Sequence, residues 1–285
     1  MSDLLAHTSR VTFEINDRCN LSHAHKKCPA HAVRNAEPTF LSVAIIHGVL
    51  DFMCDQGFDR EIAWHNYNEP TADPRLLWLM DLAKAHVPET GQYILTNGLN
   101  LNQQMLDLLI AHGATRLWVS AYTEDVYART QDLNAPGIDY KVRRFTKLDE
   151  RLKIYDRGVA GDKHPCYEPL ENLVIRADGR VGLCCVDWAQ TVSYGDLHDT
   201  TLQTILEESS IRGDWERNTH GDRWHDICQR CRCVRGSRLA PPKWLAQAAL
   251  AGAVGDGCLP GRLCLSRMER VQGGARTRGH HAQVA

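Results

Sequence analysis

Cys166-Tyr-Glu-Pro169, Asn172-Leu-Val-Ile-Arg-Ala-Asp-Gly-Arg-Val-Gly-Leu-Cys-Cys-Val-Asp187 and Cys228-Gln-Arg-Cys231-Arg-Cys233 hold six of the chain's eleven cysteines. Twelve residues separate Cys166 from Gly179, and four separate Gly179 from Cys184. Apolar runs at Leu173–Ile175 and Arg180–Leu183 flank Ala177-Asp178-Gly179, which signals a β-hairpin. Such a hairpin returns Cys166 and Cys184 to one end of the sheet. Cys228 and Cys231 then arrive from a distant part of the chain to complete four thiolates. Four soft thiolates hold zinc or an iron–sulfur cluster, and spacing alone leaves both open. Cys185 and Cys233 are further thiols beside this set.

The pattern Cys-x12-Gly-x4-Cys with a later Cys-x2-Cys resembles the SPASM module of radical S-adenosylmethionine (SAM) enzymes. More closely it is similar to the shortened, single-cluster "twitch" form of 2-deoxy-scyllo-inosamine dehydrogenase-like proteins. The alternative is a structural zinc ribbon. Gly195-Asp-Leu197 and the helical stretch 201–209 also look like the connector of such modules. Trp215, Trp224 and Ile227 are expected to pack beneath the closing cysteines.

A length of 285 residues allows one substantial core with an appended module. A net charge of −2 argues against binding driven by nucleic-acid phosphates. The N-terminal residues lack a basic-then-apolar leader, and the apolar run 244–254 is too short to span a bilayer. We therefore expect a cytoplasmic protein with reduced cysteines, no membrane and no nucleic acid.

Upstream, Val11–Ile15 alternates as a strand and runs into Arg18-Cys19-Asn20-Leu21. A cysteine loop straight after the first strand resembles the start of a radical SAM core. There, Cys-x3-Cys-x2-Cys holds a [4Fe–4S] cluster whose open iron binds S-adenosyl-L-methionine. This chain departs from that motif: His23 lies four residues after Cys19, and the next cysteine is Cys28. Cys19-x5-His25-x2-Cys28 is the best alternative register. Imidazole can ligate a cluster and raises its potential. Three readings stand: His25 or His23 is a ligand, the site has decayed, or a cysteine from elsewhere completes it. The reading of both histidines as solvated loop residues has equal weight.

Strand and helix patterns then alternate: a helix at 40–54, a strand at 61–67, a helix at 74–86, a strand at 92–95, a helix at 99–112, a strand at 116–122 and a helix from 123. A fifth strand is expected at 151–155, with 131–150 a solvated loop or helix face. Asn68-Glu69-Pro70, Thr96-Asn97-Gly98 and Ser120 fall at strand ends where radical SAM cores contact S-adenosylmethionine. By that resemblance Asn68, Glu69, Asn97 and Ser120 bind the cofactor, and Arg157 or Tyr122 lines the substrate pocket and assists proton removal. Arg143 or Arg144 is a weaker candidate for an anionic substrate group.

The fold class expected is α/β, a partial (β/α) barrel of four to six parallel strands with a C-terminal cysteine-rich β-hairpin/helix module. Residues 1–158 would form the barrel, 159–236 the iron–sulfur module and 237–285 a tail, helical at first. Within the tail, Cys258 and Cys264 are possible but less favoured ligands. Both sulfur sites are expected along one open rim. The resemblance implies one or two [4Fe–4S] clusters, S-adenosyl-L-methionine, a small-molecule substrate and an electron donor such as a flavodoxin or ferredoxin. Two rivals remain: a non-catalytic iron–sulfur or zinc protein with a dead first site, and a peptide-modifying radical SAM enzyme.

Overall fold

The computed structural model describes residues 4–24, 28–32, 35, 37–145 and 165–231. One eight-stranded sheet organises them, in the order β5-β4-β3-β2-β1-β6-β7-β8. The strands are β1 (Arg10–Phe13), β2 (Glu61–Ala63), β3 (Gly91–Thr96), β4 (Ala114–Ala121), β5 (Asp139–Arg144), β6 (Asn172–Ile175), β7 (Arg180–Gly182) and β8 (Ser193–Asp196). The first six run parallel, β7 pairs antiparallel with β6, and β8 pairs antiparallel with β7.

Helices α2 (Val43–Asp55), α3 (Leu76–His86), α4 (Gln103–Ala111) and α5 (Glu124–Thr130) link successive parallel strands. A one-turn α1 (Pro29–Ala32) precedes α2. Ile46, Val49, Leu50 and Met53 of α2 and Leu76, Leu79 and Met80 of α3 are buried in the core. Their helical spacing gives each helix one apolar face, and the sheet covers it. Phe13 stacks on Trp64 at 5.4 Å within this layer. Asn102 and Thr123 cap α4 and α5 with their side chains.

The strand after β4 is Asp139–Arg144, within a stretch expected to be loop or helix face. It offers only Tyr140 and Val142 to the core, because it is an edge strand whose other face is open. The expected strand at 151–155, the proposed boundary at 158/159 and the tail from 237 lie outside the described residues.

The hairpin forms as expected. Gly179 takes a positive φ of 85° at its turn, and a Cβ there would sit 2.6 Å from the His198 ring. Its first strand is not part of a separate sheet. β6 pairs with β1 in register from Arg10↔Asn172 to Phe13↔Ile175, and all four of its residues are buried. The Thr12 hydroxyl donates to Asn172 Oδ1 at 2.6 Å across this junction. The remaining short helices are α6 (Glu168–Glu171), α7 (Leu202–Glu208), α8 (Ile211–Thr219) and α9 (Asp226–Arg230); α6 packs on β6, and α8 on α6 and α7.

This topology separates the two sulfur sites. Cys19 follows β1 at its carboxyl end. Cys166 precedes β6 and Cys184 follows the antiparallel β7, so both lie at the amino end of the parallel strands. They do not share one rim, because pairing β6 parallel to β1 fixes where its flanking residues emerge.

Candidate active-site cleft and auxiliary cysteine cavity

A cleft opens past the carboxyl ends of β1 to β4. Its walls include Cys19, Cys28, Asn68, Glu69, Asn97, Ser120 and Tyr122. Ligands of open parallel sheets gather at this edge because several loops converge there. Six of these seven come from strand-end loops or a strand terminus, and Cys28 from just before α1.

Cys19 is held by two donors. The Leu21 backbone N–H lies 3.4 Å and Asn97 Nδ2 3.7 Å from its sulfur. Asn97 Nδ2 also donates to Asn20 Oδ1 at 2.7 Å, tying the cysteine loop to the end of β3. Burial pushes the Cys19 thiol up to about 11, with the Glu69 charge adding to it. A metal cation reverses that preference by ligating the thiolate.

Glu69 is buried and caps the 3₁₀ turn Pro70–Ala72. Its Oε1 accepts from the Thr96 hydroxyl at 2.6 Å, the Thr71 hydroxyl at 2.7 Å and the Thr71 N–H at 3.1 Å. Its Oε2 accepts from the Asn97 N–H at 2.7 Å. Burial raises its pKa above the ordinary carboxylate value, and these donors oppose that rise. Thr71 was not singled out in the sequence and Thr96 only within Thr96-Asn97-Gly98; nothing there marks either as a partner of Glu69. Ser120 lies near the end of β4, and Tyr122 stacks on Phe145 at 5.2 Å.

His23 is exposed and does not border the cleft. His25 and Arg157 lie outside the described residues. Arg144 pairs with Glu124 at 2.5 Å, while Arg143 stacks on Trp118 at 4.3 Å beside Ser120's strand.

The second site is a small cavity bordered by Cys166, Cys184, Cys228 and Cys231. The four cysteines singled out by spacing thus face one space. Cys228 sits inside α9 and Cys231 caps it. The Cys166 N–H donates to the Asn218 carbonyl at 2.8 Å, which ties the first cysteine to α8. Burial, then the neighbouring Cys166, pushes the Cys228 thiol up to about 12, with Arg223 acting against both. Burial also raises Cys184, with Cys185 contributing. Cys185 instead donates to Glu168 Oε1 at 3.2 Å and does not border the cavity. Cys233, Cys258 and Cys264 lie outside the described residues.

Among the described residues, no three His, Cys, Asp or Glu side chains are already placed as ligands of a metal ion. A tetrahedral zinc draws four sulfurs to about 2.3 Å from one centre. Four thiols around one space give the sulfur set that either a zinc ion or an iron–sulfur cluster takes.

Asp214 anchors the closing helix from below. It is fully buried and accepts from Tyr194 Oη at 2.8 Å and Trp224 Nε1 at 2.7 Å, with His225 Nε2 2.7 Å away. Trp215 and Ile227 are buried as expected, but Trp224 is 44% exposed because its indole N–H reaches Asp214 while its ring lies against His225 and Arg217.

Residues 166–232 match the SPASM family, an iron–sulfur cluster-binding domain. The match decides the open choice of metal in favour of iron–sulfur. No curated protein matches the chain by sequence. Upstream of the SPASM segment the likeness is one of fold. The crystal structure of BtrN in complex with AdoMet and 2-DOIA has a TM-score of 0.68 at 21% identity, covering 80% of this chain and 94% of that one. BtrN in an open conformation gives 0.63 at 18% identity, covering 80% and 93%. Native anSMEcpe with bound AdoMet gives 0.49 at 12%, covering 85% and 94%. The BtrN structures establish that the partial barrel and SPASM segment together form a known fold. No helix among the described residues is long and apolar enough to cross a membrane.

Proposed function

We propose that this chain is a radical SAM-type iron–sulfur enzyme that oxidises a small molecule. The observation that carries the reading is the single cleft joining Cys19 and Cys28 to Glu69, Asn97 and Ser120. Its support is the SPASM match behind that cleft and the fold shared with BtrN, whose complex holds AdoMet and 2-DOIA.

Cys19 and Cys28 provide two thiolates for the first cluster, and His25 is the third ligand of this scheme. Asn68, Glu69, Asn97 and Ser120 supply the polar wall for S-adenosylmethionine. Glu69 brings the negative charge that suits an amino group, and its contacts with Thr96 and Asn97 hold that wall in shape. In this scheme Tyr122 or Arg157 lines the substrate pocket and assists proton removal. Cys166, Cys184, Cys228 and Cys231 hold the auxiliary cluster and, being four, leave it no open iron. When both clusters and S-adenosylmethionine are bound, the first centre supplies a 5′-deoxyadenosyl radical for hydrogen abstraction and the auxiliary one an acceptor for the substrate's electron. A flavodoxin or ferredoxin in the cytoplasm would be the electron donor.

Anaerobic reconstitution with iron and sulfide counting tests the scheme. About eight irons per chain are expected for two cubane clusters. S-adenosylmethionine with dithionite should then yield 5′-deoxyadenosine. About four irons and no 5′-deoxyadenosine would leave a protein with only its auxiliary cluster.

A further inference from the structure

The auxiliary cavity has charged walls as well as thiols. Arg223 and Glu168 both border it, and among the described residues that do so they are the only cation and the only carboxylate. Each is fixed in place. Arg223 donates from Nη1 to the Cys231 carbonyl at 3.0 Å. Glu168 Oε1 accepts from Asn172 Nδ2 at 3.1 Å and from the Cys185 thiol at 3.2 Å. The two reach the cavity from different elements: Arg223 from the segment between α8 and α9, Glu168 from α6.

We propose that Arg223 and Glu168 set the reduction potential of the auxiliary cluster in opposite directions, Arg223 raising it and Glu168 lowering it. The inference rests on the iron–sulfur reading of this cavity. A cluster held by four thiolates is already anionic, and reduction adds one electron and no atom. In a protein interior that added charge is stabilised by a nearby cation and destabilised by a nearby carboxylate. Nearby Asp187 and Asp214 do not border the cavity; Asp187 accepts from Thr191 and Val192, and Asp214 from Tyr194 and Trp224. Arg223 therefore makes the cluster a better acceptor for the electron that substrate oxidation releases. Glu168, hydrogen-bonded to Cys185, limits that gain.

The test uses the full chain with Cys19→Ala and Cys28→Ala, so that only auxiliary iron remains. The protein is reconstituted anaerobically and titrated with dithionite and mediators, following the reduced cluster by electron paramagnetic resonance. Arg223→Gln should disfavour reduction at least tenfold, which for one electron is about 59 mV. Glu168→Gln should favour it, and Arg223→Lys, which keeps the charge, should stay near the parent. If Arg223→Gln fails to retain iron, the Arg223→Lys and Glu168→Gln pair still decides. Shifts of the same sign, no shift, or a lysine variant that behaves like the glutamine would overturn the proposal. Fewer than about four irons in the parent protein would instead overturn the iron–sulfur reading beneath it.

Discussion

The Tyr67 hydroxyl, from the loop after β2, donates to the backbone carbonyl of Cys185, 118 residues away. Tyr67 borders the cleft, and Cys185 follows a cysteine of the auxiliary cavity. The Arg176 guanidinium lies 5.6 Å from the Tyr67 ring centre, and the Tyr67 N–H donates to buried Glu14. This one side chain thus ties the two sulfur sites across the sheet. Tyr67→Phe should cost about 1 kcal/mol by loss of a single hydrogen bond. Chemical denaturation checks that, and an unchanged midpoint would show that the bond contributes nothing.

Adjacent cysteines should behave differently. Cys184 borders the cavity, whereas Cys185 is turned to Glu168. Cys184→Ala should lose the auxiliary iron, and Cys185→Ala should keep it. Iron counting after anaerobic reconstitution separates the two, and equal losses would make Cys185 a ligand.

Asp214 is expected to be the costliest single residue beneath the closing helix. Asp214→Ala leaves Tyr194, Trp224 and His225 without their shared acceptor. Breaking such a buried network costs about 3 kcal/mol or more. Asp214→Asn, which keeps one acceptor oxygen, should lose less. Thermal unfolding of both variants is the check; similar behaviour to the parent would mean that α9 is held elsewhere.

Glu69 gives a pH dependence of defined sign. Burial raises its pKa in the folded chain. Between the ordinary carboxylate value and the raised one, the folded state binds more protons than the unfolded state. Its contribution to stability is therefore greatest below the ordinary value and falls as pH rises through the raised one. Glu69→Gln should flatten that fall. Melting temperatures across the acidic to neutral range would show it, and identical profiles for the two proteins would refute it.

Much of the site could be read locally. Gly179 demanded a turn, and the apolar runs on either side demanded strands. The ends of β3 and β4 were legible because buried parallel strands are apolar and stop at polar loops, so Asn97 and Ser120 could be located before they could be brought together; β2 stops at Ala63, short of the expected 67, and Glu69 follows on a longer loop. β5 was harder to see. An edge strand needs only one apolar face, and Tyr140 and Val142 are too few to distinguish it from a loop. Arg223 and Asp214 had no local signal, since each acts only through residues that folding places beside it.

The sequence by itself determined which thiols belong together, because ligand spacing and a glycine turn are properties of the chain. It also determined the alternation of strands and helices, because periodicity decides which faces must be buried. Only the tertiary structure decided that β6 joins β1 in one continuous sheet. That pairing puts the cysteine cavity and the cleft at opposite ends of the parallel strands, since strand direction is set by long-range hydrogen bonds that no local pattern records.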